Sequence, residues 1–148
     1  MYNTPIHILL ADDDDADRLL FTEAFAELKI KSIVRTVNNG EELMGLLTTK
    51  DTKLPFLLFL DLNMPRKNGL QCLKEIRSNE KLKEIFIAIY STSDSQKDIE
   101  EAFRNGANIY ITKPSDFDAL KQVLEKAVTT AFQYREHGFS QENFLLKI

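Results

Sequence analysis

Of 148 residues only one, Cys72, is a cysteine. That excludes an internal disulfide and a cysteine-based metal site, and a reducing, cytoplasmic compartment is expected. Long apolar runs are missing as well. The longest, Phe56 to Leu60 and Ile85 to Tyr90, fall far short of the roughly 18 residues a membrane span needs. The opening Met1-Tyr2-Asn3-Thr4-Pro5 has neither a basic segment nor an apolar core, so no secretion signal is expected. An excess of positive charge is also lacking. The 19 Lys and Arg face 23 Asp and Glu, a net charge of −4. Nucleic acid and anionic membranes both select clustered Lys and Arg, so neither is an expected partner. The two histidines, His7 and His137, have no neighbouring His or Cys and are not expected to ligate metal. Repeats, low-complexity tracts and linkers are absent, and the length suits one domain.

What the chain does have is alternation. Short apolar runs at Ile6–Ala11, Ser32–Val37, Phe56–Leu60, Phe86–Tyr90 and Asn108–Ile111 read as strands. Their near-continuous apolarity suggests burial on both faces of a parallel sheet. Between them lie helical stripes. Ala16, Leu20, Ala24 and Leu28 recur every four residues with Phe21 and Phe25 alongside. Leu43, Leu46 and Leu47 follow Asn39-Gly40, and Leu70, Leu73 and Ile76 follow Asn68-Gly69. Ile99, Ala102 and Phe103 follow a cap at Ser93 or Asp94. The last stripe runs from Phe117 through Leu120, Leu124, Ala127, Val128 and Ala131 to Phe132. Five β-α units predict an α/β fold with helices on both faces of a parallel sheet. The expected architecture is a flavodoxin-like (βα)5 three-layer sandwich with strand order 2-1-3-4-5. A last helix of about 20 residues exceeds the usual 11–12, and an apolar tail follows it.

Four of the five strands end in polar residues: Asp12-Asp13, Asp61, Ser91-Thr92 and Lys113-Pro114. Parallel strands bring all their carboxyl ends to one edge, where open α/β sheets place ligands. In the order 2-1-3-4-5, strands 1 and 3 are neighbours, so Asp12, Asp13 and Asp61 converge. Three such carboxylates repel unless a proton or a cation joins them. An oxygen-only set favours a hard cation, Mg²⁺ first. Opposite them, the Ser91 hydroxyl and the Lys113 ammonium complete a cradle for a phosphoryl group. Asp14, Asp15 and Asp17 read as ordinary acidic residues at a helix start, Cys72 as a packed, inert thiol, and Tyr90 as a strand residue without a functional role.

Over residues 5–130 the chain resembles the receiver domain of two-component response regulators. Ile8-Leu9-Leu10-Ala11-Asp12-Asp13-Asp14 is similar to the family's first strand and acidic pair. The loop from Leu60-Asp61 through Asn63-Met64-Pro65 to Asn68-Gly69 is similar to its phosphoacceptor loop. Ser91-Thr92-Ser93 and Gly106-Ala107-Asn108 through Lys113-Pro114 resemble the hydroxyl segment and the final strand with its lysine. The chain is similar to a group of stand-alone receivers, some of them paired with phytochrome-type kinases, and the resemblance implies that Asp61 accepts a phosphoryl group from a histidine kinase or phosphotransfer protein. It implies direct Mg²⁺ ligation by Asp13, Asp61 and the backbone carbonyl of Asn63, with Asp12 acting through water. Ser91 and Tyr110 would form a switch read by a downstream protein, with Tyr110 turning from exposed to buried, and the Lys113–Pro114 bond would be cis. On this reading residues 1–136 are the receiver and 137–148 a tail. Phe139, Phe144, Leu145, Leu146 and Ile148 after Gly138 suggest an interaction element, in a homodimer; the other reading folds the tail back on its own domain. A Mg²⁺-dependent phosphohydrolase with an Asp nucleophile is the main alternative. It is disfavoured because Asn63 stands where such enzymes place a second, proton-donating Asp, and no insertion is long enough for a cap. The chain is therefore expected to be a phosphoacceptor rather than a turnover enzyme.

Overall fold

The computed structural model describes residues 4–137 and 144–146. The expected β-α alternation is present: β1 (Ile6–Ala11), α1 (Asp15–Glu27), β2 (Ser32–Val37), α2 (Gly40–Leu47), β3 (Leu57–Leu60), α3 (Gly69–Ser78), β4 (Ile87–Ser91), α4 (Gln96–Arg104), β5 (Ile109–Thr112) and α5 (Phe117–His137). These five strands lie in the order 2-1-3-4-5, all parallel. The sheet is larger than expected by one strand. Leu145–Leu146 form β6, parallel to the outer side of β5, with Tyr110 opposite Leu145 and Ile111 opposite Leu146.

Strand alternation divides the core into two layers. Leu9 and Ala11 of β1 join Leu58 and Leu60 of β3 beneath Leu43 and Leu47 of α2, Leu73 and Ile76 of α3, and Ala102 of α4. Ile8 and Leu10 point the other way, with Phe59, against Phe21 and Phe25 of α1 and Leu124, Ala127 and Val128 of α5. Every residue of β3 and β4 is buried, as their unbroken apolarity requires. β2 differs: it is the sheet's edge, none of its residues is fully buried, and Ile33, Arg35 and Thr36 are exposed. The α1 stripe is shifted from the expected one. Phe21, Ala24 and Phe25 are buried, whereas Leu20 and its neighbour Leu19 are exposed. A four-residue repeat drifts off a 3.6-residue helix, so its first members leave the core face within two turns.

Helix starts follow the capping rules. Asp14, Asn39, Asn68 and Ser95 each accept a hydrogen bond from a backbone N–H three residues on. The cap of α4 is Ser95, not Ser93 or Asp94. Ser93 instead bonds Asp98 through its hydroxyl. α5 spans 21 residues, close to the length its stripe predicts. Gly138, Phe139 and Ile148 of the tail lie outside the described residues. Phe144 and Leu145 pack on the chain's own α2–α4 layer, so the solvation that motivated a dimer is, for these two, relieved within the chain.

Candidate functional site

The site is built from the ends of the strands by continuing their ladders one bond further. Asp12 N–H donates to Val37 O at 3.1 Å, Asp61 N–H to Ala11 O at 3.0 Å, and Lys113 N–H to Ser91 O at 2.7 Å. Each polar residue is therefore held by its neighbouring strand's last carbonyl, and the convergence expected from strand order is realised. One carboxylate oxygen from each of Asp12, Asp13 and Asp61 lies within 4.8 Å of the others. Asp12 and Asp61 are buried and Asp13 is exposed, so the cluster has a closed floor and an open side. Its oxygen-only donor set fits a hard divalent cation.

The β3–α3 loop is fixed by close backbone approach. A Cβ at Gly69 would lie 2.1 Å from the Asp61 carbonyl oxygen, and one at Gly40 would lie 2.0 Å from Lys67 O. Only hydrogen fits at either position. Gly69 N–H donates to Leu62 O at 2.9 Å, closing the loop on itself. Asn63 meets the site through its backbone N–H, which donates to Asp61 Oδ1 at 3.2 Å.

Lys113 dominates the electrostatics. Its ammonium donates to Asp12 Oδ2 at 2.8 Å, Asp17 Oδ2 at 2.8 Å and Asp61 Oδ2 at 3.3 Å, and lies 5.2 Å from the centre of the Tyr90 ring. Burial alone would favour the neutral amine, but the hydrogen bonds to Asp12 and Asp17 and the charge of Asp61 outweigh it and hold the pKa above that of a free lysine. Asp61 shows the opposite balance. Burial pushes its carboxyl up to about 6, with the Asp12 charge adding to the rise and Lys113 opposing it. Burial likewise raises the Cys72 thiol to about 11, which fits the inert role expected of it.

The expected cis bond before Pro114 is not found: the described peptide bonds are all trans. The ladder bond from Lys113 N–H to Ser91 O already aims the backbone, and the four-carbon side chain spans the rest. Ser91 is fully buried, and its Oγ accepts from Ser93 N–H at 3.1 Å. Tyr110 departs from expectation too. It is already buried rather than exposed, its hydroxyl donating to Ser93 O at 2.8 Å and its N–H to Phe144 O at 2.7 Å. Its ring lies 6.5 Å from that of Phe144, which in turn meets Phe103 edge-on at 4.8 Å. Phe144 of the tail thus packs in the same buried layer as the Tyr110 ring.

Two residues of this neighbourhood escape a reading of the sequence. Asp17 is one of five acidic residues in the stretch 12–17. Only its place at the third position after the Asp14 cap turns it inward. Phe144 follows a stretch without periodicity, so nothing local marks it as the cover of Tyr110.

Comparison with known proteins agrees with this geometry. The model of the response regulator receiver domain matches residues 8–125. Chemotaxis protein CheY1 of Helicobacter pylori is 31% identical over 123 residues, 83% of this chain and 97% of that protein. Response regulator Rcp1 of Synechocystis is 30% identical over 127 residues, 83% of this chain and 86% of that protein. Its Mn²⁺-bound structure aligns with a TM-score of 0.71 at 26% identity, covering 93% of this chain and 96% of that one. The phosphorylated cyanobacterial phytochrome response regulator RcpA aligns with a TM-score of 0.80 at 33% identity over 87% of this chain and 95% of its own. With most of its length matched and its polar residues gathered at the same edge of the sheet, this chain belongs to the response regulator receiver domain family.

Proposed function

We propose that Asp61 accepts a phosphoryl group from the phosphohistidine of a kinase or phosphotransfer protein, and that the chain then signals to a downstream protein through Ser91 and Tyr110. The observation that carries this is the position of Asp61. It is a buried carboxylate with its amide on β1, one oxygen 3.3 Å from Lys113, and two further carboxylates within reach of one cation. An Asp61 oxygen attacks phosphorus as the P–N bond breaks. The electron pair of that bond stays on the imidazole nitrogen, and the ring leaves after taking up a proton. The attacking oxygen belongs to an ionised carboxylate, whose charge the Lys113 ammonium 3.3 Å away favours. Mg²⁺, held by Asp13, Asp61 and the Asn63 carbonyl with Asp12 acting through water, would neutralise phosphoryl oxygens; the manganese in the related Rcp1 supports a divalent ion here. Lys113 neutralises another oxygen, and the Ser91 hydroxyl donates to a third.

The switch follows from the bonds that Ser91 now makes. Once its hydroxyl turns to a phosphoryl oxygen, Oγ moves away from Ser93 N–H, and the Ser93 carbonyl that anchors the Tyr110 hydroxyl moves with it. The phosphoryl group then shifts the balance between two arrangements of this segment by its better fit to one of them. Incubation with acetyl phosphate and Mg²⁺, read by intact mass, tests the reading. One added phosphoryl group is expected, lost in Asp61→Asn and lost on chelation. Labelling that survives either treatment overturns it.

A further inference from the structure

We propose that Asp17 is a positioning residue of this site: it holds the Lys113 ammonium against α1, leaving Asp12 and Asp61 free for the cation and the phosphoryl group. The inference rests on the phosphoacceptor reading above and adds a residue which that reading does not use.

An ammonium has three N–H donors, and here all three are committed to carboxylates: Asp12 and Asp17 at 2.8 Å and Asp61 at 3.3 Å. Two of those acceptors belong to the cluster that fits a cation. A cation entering the cluster competes with Lys113 for Asp12 and Asp61 and repels it besides. Of the three carboxylates, Asp17 alone lies outside the cluster, and beyond it the ammonium has only the Tyr90 ring. It sits in the first turn of α1, fixed by its own N–H on the Asp14 cap at 2.9 Å, and its side chain is one-third exposed while Lys113 is nearly buried. With Asp17 in place, the ammonium keeps a charged partner when the cluster is occupied, and it stays where the third phosphoryl oxygen would lie. Without Asp17, Lys113 has only the cluster's own carboxylates to bind. It then opposes the cation instead of standing beside it.

Acid count alone does not explain the arrangement. Asp14 caps α1, and Asp15 pairs with Arg18 on the exposed side. Arg18 in turn donates to Asp12 O at 2.7 Å, tying the same turn of α1 to the end of β1. The helix that carries Asp17 is therefore locked to the strand that carries Asp12, and the distance across which Lys113 is shared is set by the backbone.

A double-mutant cycle between Asp17→Asn and Lys113→Ala tests this, with two readouts: the rate of labelling by acetyl phosphate at saturating Mg²⁺, and the Mg²⁺ dissociation constant by calorimetry. Asp17→Asn is expected to slow labelling roughly tenfold and to weaken Mg²⁺ binding several-fold, in the range typical of residues that act through a neighbour. In the Lys113→Ala background the same change should have almost no effect on either readout, because the group it positions is gone. Asp17→Glu, long enough to reach the ammonium, should recover most of the rate. The proposal is overturned if Asp17→Asn behaves as the wild type, if the two losses multiply, or if Glu does no better than Asn. The outcome is separable from the parent reading: persistence of labelling in Asp61→Asn refutes the phosphoacceptor, whereas its loss there together with an uncoupled Asp17 refutes only this inference.

Discussion

Two cations are drawn into this protein at opposite ends of its sheet, and they are treated differently. Lys113, at the carboxyl ends, faces three carboxylates. Arg77, at the amino ends, donates to neutral oxygens, and Glu84 acts on it only through its charge. Its Nε donates to Gly106 O at 2.8 Å, its Nη1 to Lys83 O at 2.9 Å and Ile85 O at 2.8 Å, and its Nη2 to Asn108 Oδ1 at 2.8 Å. Burial shifts the guanidinium pKa down, yet its neutral acceptors fit its fixed fork and no exchangeable charge is left over. Arg77 ties α3 to the turns before β4 and β5. Lys113 is held by more negative charge than it can neutralise, and that excess is what a cation or a phosphoryl group can renegotiate. A buried cation among carbonyls holds a fold; one among surplus carboxylates marks a place where chemistry is waiting.

The sharpest test of that contrast is the loss of one carboxylate. Asp61→Asn should abolish labelling by acetyl phosphate altogether, measured by intact mass, while its melting temperature at pH 7 in the absence of metal rises, because a like-charge conflict is relieved. Next is the pair of cation deletions. Lys113→Ala should slow labelling roughly 100-fold. Arg77→Met should leave the labelling rate unchanged below its melting range and cost about 3 kcal/mol of stability in urea, through orphaned buried acceptors. If the two variants trade phenotypes, the contrast is wrong.

A smaller effect lies in pH. The Asp61 carboxyl titrates at about 6 in the folded, metal-free chain against an ordinary value of 3.8. Between those values the folded state binds more protons than the unfolded one, so this group's contribution to stability falls as pH rises from about 4 to about 6 and is flat above that. Subtracting the pH–stability curve of Asp61→Asn from that of the wild type should isolate a slope of this sign, and a slope of opposite sign would show that Lys113, not burial, controls Asp61. Smallest is the tail. Phe144→Ala should cost about 1 kcal/mol, as expected of a terminal segment that opens locally, with the labelling rate within twofold of the wild type; near-UV dichroism of Tyr110 should report the loss of its cover.

Much of this was legible in the chain. Strand order followed from five apolar runs with helices between them, and the convergence of Asp12, Asp61, Ser91 and Lys113 followed from the rule that parallel strands end together. Those inferences rest on periodicity and topology, which a sequence carries in full. What it hid were contacts made by reach. Asp17 was lost among Asp12–Asp15 because charge pattern does not say which carboxylate turns inward. Leu20 looked like core because a repeat of four resembles a helix period over two turns. β6 was missed because two residues, Leu145 and Leu146, are too few for any alternation to show. The buried state of Tyr110 is hidden for a different reason: part of its surroundings is supplied by Phe144, 34 positions later.

β6 also bears on how the protein behaves in concentrated solution. Ile109, Tyr110 and Ile111 of β5 form an uncharged, largely apolar stretch that would otherwise end the sheet, with its outward N–H and C=O groups open to any extended chain. Such an edge is a template for aggregation. The opposite edge, β2, carries Arg35 and exposed residues along its length, a common defence. β5 has no charge of its own, and its protection is two residues of borrowed backbone. Trimming the chain at Glu136 to obtain a minimal domain would therefore uncover a sticky edge. Self-association in that shortened protein is then expected from the uncovered edge itself, and comparison with the full chain separates it from assembly through other faces.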